Sequence, residues 1–105
     1  MWQVLVGLGL LAAETAPSLT SRVLVVANSQ SPASRELASY YMSRRAIPAS
    51  NLCLISAPPD EVIPRAIYAR NVESPIRRCL AVEAVRARVR FAALMPGIPL
   101  RIEPT

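Results

Sequence analysis

The chain has 105 residues, 52% of them apolar and 18% charged, with a formal net charge of +5. One domain is the ceiling for that length, and the apolar share excludes a disordered chain. The 12 basic residues are all arginine and histidine is absent, which removes Ser-His and Cys-His pairs and imidazole metal ligands.

The first 18 residues, MWQVLVGLGLLAAETAPS, carry an apolar run over residues 4–13. It is too short to span a bilayer as a helix and matches the apolar region of a signal peptide, with Ala13 or Ala16 ending a cleavage segment. No basic residue precedes it, so the charged start of such a signal is missing. Residues 1–20 are therefore read as a signal-like or flexible leader, and residues 21–105 as one partial α/β domain. The expected location is periplasmic or extracellular, and cytoplasmic if the run is not a signal. No stable membrane span is expected.

Residues 22–28, RVLVVAN, form a continuous β-branched apolar run, the mark of a parallel strand covered on both faces. Residues 52–56 and 89–95 read the same way. Between the first two lies a helix that Ser31 caps, with Pro32 at the first helical position, where a missing N–H costs nothing. Leu37, Ala38, Tyr41 and Met42 recur at helical spacing and predict its core stripe. It should end near Arg45–Ala46, because Ile47 precedes Pro48 and is biased away from the α region.

APPDEVIP, residues 57–64, reads as a proline-broken loop, followed by helical pattern over residues 65–72. A break is expected at Ser74-Pro75, then a helix with Ile76, Cys79 and Leu80 inward. Arg86, Arg88 and Arg90 alternate with Ala87 and Val89 on the way into the third strand, as a solvated stripe. The expected fold is α/β: a partial, truncated, three-layer Rossmann-like or flavodoxin-like parallel sheet of about three strands, β-α-β-α-β, with strand one central. Its third strand should leave an apolar edge open, so the isolated chain is expected to aggregate or to be marginally folded.

Candidate site residues cluster where α/β sheets bind ligands, at the carboxyl end of strand one and the start of its helix. Asn28, Ser29, Ser31, Ser34 and Arg35 can hold an anion or carboxylate there. The competing structural roles are a helix cap for Ser31, a turn bond for Asn28 and a solvated Arg35; no Gly-rich loop supports a nucleotide. Asn51 should satisfy backbone groups before strand two, and Gly97 and Pro99 should shape the exit from strand three. No catalytic residue, metal or cofactor is assigned, and the scattered arginines, without a binding motif, give no nucleic-acid partner. Cys53 and Cys79 are too few for structural zinc. Cys53 sits mid-strand with no base to activate it. The two are expected bridged if the chain is exported and free if it is cytosolic.

Three blocks, RVLVVANSQSPASRELASYYMSRRAIPASNLC, ESPIRRCL and FAALMPGIPLRI, together resemble the N-terminal part of a bacterial family of exported proteins without established activity. The shared pattern is a strand, Asn-x-x-Ser-Pro-x-Ser-Arg-Glu, a Tyr-Tyr helix, Arg-x-Ile-Pro, Asn-x-Cys, and a later Gly-Ile-Pro-Leu-Arg. Ala46 stands where that family has Gly, which costs about 1 kcal/mol if the position needs φ > 0. Pro96 stands where a polar residue is expected. The resemblance implies a chain several times longer, and its opening is loosely similar to caspase- and gingipain-like folds. It leaves two readings: the non-catalytic N-terminal piece of an exported α/β domain, whose partner is the C-terminal part of the same protein, or the start of a hydrolase or cysteine-peptidase-like enzyme with its catalytic residues beyond Thr105.

Overall fold

Val23–Asn28 (β1) is buried along almost its whole length. A computed structural model, describing residues 19–104, sets it at the centre of a three-stranded parallel sheet. It lies between Leu52–Ile55 (β2) and Phe91–Leu94 (β4), with Val26 opposite both Cys53 and Leu94. The fold is thus the expected partial α/β sheet with strand one central. The expected leader lies outside the described residues, except for Leu19 and Thr20, which open a short 3-10 turn, Leu19–Arg22.

Helix α1, Pro32–Arg45, starts as the Ser-Pro pair predicts. Ser31 is extended, its Oγ accepts from the Ser34 amide, and Pro32 follows. At the other end Ala46 takes the left-handed conformation, φ 56° and ψ 41°. The Ile47 amide reaches back to Met42 O at 3.0 Å and the Ala46 amide to Ser43 O at 3.4 Å. That is a Schellman closure, and Ile47 packs with Met42 as such closures favour. Ala46 therefore carries the strain that glycine would avoid.

The predicted core stripe needs one correction. The buried positions of α1 are Ser34, Ala38 and Met42, Tyr41 is half-buried, and Leu37 is exposed. The inward seam runs at i, i+4, i+8, and Leu37 is turned about 100° from it at the α-helical pitch of 3.6 residues per turn.

The second crossover departs further. No break occurs at Ser74-Pro75: α2 (Arg65–Tyr68), a π turn (Ala69–Glu73) and α3 (Ser74–Ala81) run on as one rod. The Ser74 amide reaches Ala69 O, a five-residue step. A proline inside a helix lacks an N–H and crowds the carbonyl four residues back; the wider π turn just before Pro75 accommodates it. The Ala-Arg alternation is also not an approach to the strand. Residues Glu83–Arg88 form helix α4, as their helix-favouring alanines and arginines allow, and the strand begins only at Phe91. APPDEVIP is not all loop: Val62–Ile63 (β3) pairs in parallel with Arg101–Ile102 (β5).

Two apolar layers flank the sheet. On one face Val25 and Ala27 meet Ala38, Met42 and Ile47. On the other, Leu24, Val26, Cys53 and Ile55 meet Ile63, Val72, Val85 and Ile98. One helix covers three strands on the α1 face, so the edges stay open there. Strand β2 alternates in burial instead of being covered on both faces, with Leu52 and Leu54 exposed. Strand β4 is open on both faces: Phe91 pairs beside Val23, Leu94 beside Val26, and both are more than half exposed. Among the described residues no helix is long and apolar enough to cross a membrane.

Candidate functional site

The polar residues singled out at the end of β1 come together, bound partly to one another and partly to backbone groups at the neighbouring strand exits. Asn28 is fully buried. Its Nδ2 donates to Ala57 O at 2.8 Å and to Gly97 O at 2.9 Å. Its Oδ1 accepts from the Gln30 amide at 3.1 Å and the Ala57 amide at 3.2 Å. A carboxamide has two donor hydrogens and two acceptor lone pairs, so the side chain is used to capacity. It ties the exits of β1, β2 and β4 into one knot.

Ser34 is buried beneath this knot and accepts from the Asn28 amide at 2.9 Å. Its own amide donates to Ser31 Oγ at 3.2 Å. The Ser29 amide donates to Ile55 O at 2.7 Å, extending the β1–β2 ladder by one step. Arg35 is exposed on α1 and in no ion pair; the one ion pair among the described residues joins Arg77 and Glu73. Gly97 lies over the helix start with φ +100°, and a Cβ built on it would stand 3.0 Å from Ser31 Oγ and 3.2 Å from Ser34 Cβ. The backbone of the β4–β5 turn thus occupies the space above the α1 N-terminus. The sequence pointed to Gly97 only as a turn former; its close approach to two serines was visible only in three dimensions.

A matching knot closes the opposite end of β1. Asn51 is buried, and its Nδ2 donates to Ser21 O at 2.9 Å and Val23 O at 2.8 Å. Its Oδ1 accepts from Arg88 Nε at 3.2 Å and Nη2 at 2.8 Å, while the same Nη2 donates to Ser50 Oγ at 2.8 Å. Asn51 satisfies backbone groups as its turn position predicts, but Arg88 is not a solvated residue: it ties α4 to the entrance of β2. No buried side-chain polar atom among the described residues lacks a partner.

Cys53 and Cys79 are joined in a disulfide, with Cα atoms 6.0 Å apart. The bridge fastens α3 to β2 on the face away from α1, in the layer where Leu24 and Val26 lie. No group of three or more His, Cys, Asp or Glu residues able to hold a metal ion occurs among the described residues.

The α1 face also carries a groove. It has a volume of about 330 Å³ and runs between α1 and β2, with Arg35, Ser39 and Ser43 on one wall and Ala38, Met42, Leu52 and Leu54 among its apolar lining. No family model, curated protein or solved structure matches the chain.

Proposed function

We propose that this chain is the non-catalytic opening part of an exported α/β domain, a scaffold whose sheet is continued at β4 by a later segment of the same protein. One observation carries it: β4 presents Phe91 and Leu94, both more than half exposed, on its two opposite faces. A strand with apolar side chains outward on both faces calls for a neighbour and for cover. At the sheet edge where α/β enzymes do chemistry, Asn28, Ser31 and Ser34 are engaged in holding backbone and cap. They leave no free nucleophile with a base beside it. The joined cysteines favour an oxidising compartment, periplasmic or extracellular.

The test lengthens the chain. The residues encoded after Thr105 are expressed with it, and amide hydrogen exchange in β4 is compared with that of the 105-residue chain. Slower exchange over Phe91–Leu94 in the longer chain is the expected result. Unchanged exchange, or a reading frame that stops after Thr105, overturns the continuation. Ester or peptide turnover by the short chain that Ser31→Ala abolishes overturns the non-catalytic part, in favour of a hydrolase.

A further inference from the structure

We propose that the groove between α1 and β2 binds a straight-chain aliphatic carboxylate, its chain along the apolar floor and its carboxylate on Arg35. This is independent of the scaffold reading.

The groove exists because of how α1 crosses the sheet. The helix seats Ala38 and Met42 over β1, and its flank leaves Leu52 and Leu54 of β2 uncovered, 37% and 50% exposed on that face. Its volume of about 330 Å³ falls at the lower end of small-molecule sites, which run from roughly 300 to 1,000 Å³. Aliphatic side chains and a methionine line most of it, and methionine adapts its shape to what it packs against. No aromatic ring lines it, so flat ligands have nothing to stack on.

Charge selects the head group. Arg35 is the only charged residue of the lining, no acid faces it there, and it makes no ion pair. A single guanidinium fork at one end of an apolar trough complements one planar carboxylate, which it can bind with two parallel hydrogen bonds. Ser39 and Ser43 follow at one-turn spacing on the same wall and offer hydroxyls to the ligand's polar end or its water.

The probes are decanoate and its uncharged counterpart 1-decanol, titrated below their aggregation limits into the full chain by calorimetry. Decanoate should bind saturably and at least tenfold more tightly than decanol. Arg35→Gln should remove that tenfold preference, and Ser39→Trp, filling the groove from an exposed helix position, should abolish binding of both. Unchanged melting temperatures establish that the variants remain folded. Equal affinity of the unaltered chain for the two probes overturns the assignment, as does a preference for decanoate that survives Arg35→Gln, decanoate binding that survives Ser39→Trp, or no saturable binding to the unaltered chain.

Discussion

The carboxamide of Asn28 and the carbonyl of Gly97 lie 2.9 Å apart across 69 positions of chain. The same amide nitrogen holds Ala57 O at 2.8 Å, so one side chain spans the exits of all three strands. Parallel strands end in separate loops with no hairpin to fix them, and here a buried asparagine supplies the missing connection.

Replacing Asn28 by Ala should therefore be among the most damaging single changes. Ala57 N, Ala57 O and Gly97 O would each lose a partner in or near the core. At about 1–3 kcal/mol for each buried group left unpaired, a total loss of 3 kcal/mol or more is expected. Asn28→Asp should fare no better, since a carboxylate accepts but cannot donate to two carbonyls. Urea unfolding measures it; a loss below about 1 kcal/mol would mean that water takes over the knot.

Two backbone positions should respond with opposite signs. Ala46→Gly relieves a left-handed residue at the α1 terminus and should stabilise by about 1 kcal/mol. Gly97→Ala places a Cβ 3.0 Å from Ser31 Oγ at φ +100° and should destabilise by about 2 kcal/mol or more, from clash and backbone strain together. Thermal melting of both variants beside the parent is enough. A Gly97→Ala chain as stable as the parent would show that the turn can lift off the helix.

What the sequence made legible was what short-range chemistry dictates. Ser31-Pro32 marks a helix start because it follows a strand and turn and Ser31 is extended, with its side chain accepting from the Ser34 amide. Ile47-Pro48 marks a helix end, and β1 has the apolar run of a central strand. Ser74-Pro75 misled because the same dipeptide also fits inside a rod, provided a π turn precedes it, and that accommodation has no local signature. Arg88 misled because alternation with alanine looks the same on a solvated stripe and on a short helix; only Asn51, 37 residues earlier, makes it structural. β3 and β5 are two residues each, too short for any periodicity. Of the site, Asn28, Ser31 and Ser34 were found as a cluster, and their mutual satisfaction became apparent only with Ala57 and Gly97 in place.

The open strand predicts poor solution behaviour. With Phe91 and Leu94 outward and an unpaired edge, the isolated chain should self-associate and melt below about 60 °C. A Phe91→Lys, Leu94→Lys double variant should stay monomeric at concentrations where the parent does not, with little change in melting temperature, because neither side chain is core. Light scattering during a thermal scan reads both quantities. Equal association of parent and variant would move the sticky surface elsewhere on the molecule.

The Cys53–Cys79 bridge makes the last prediction, because it couples stability to compartment. It joins residues 26 apart and pins α3 onto β2. Closing a loop of that length should stabilise by roughly 3–4 kcal/mol on the chain-entropy model. That is a large share of the ~5–15 kcal/mol that holds an ordinary domain together. A Cys53→Ala, Cys79→Ala double variant should accordingly lose about 3 kcal/mol, and reductant should destabilise the parent to a similar extent while leaving the variant unchanged. Reduction breaks the bridge while keeping the buried sulfur volume that the variant removes, and the variant shows that the reductant acts through the bridge. Alkylation of protein purified from its native compartment without reductant, followed by mass spectrometry, should leave both cysteines unmodified. Two alkylated cysteines in exported material would mean that the pair stays reduced despite a Cα separation of 6.0 Å, which suits a bridge.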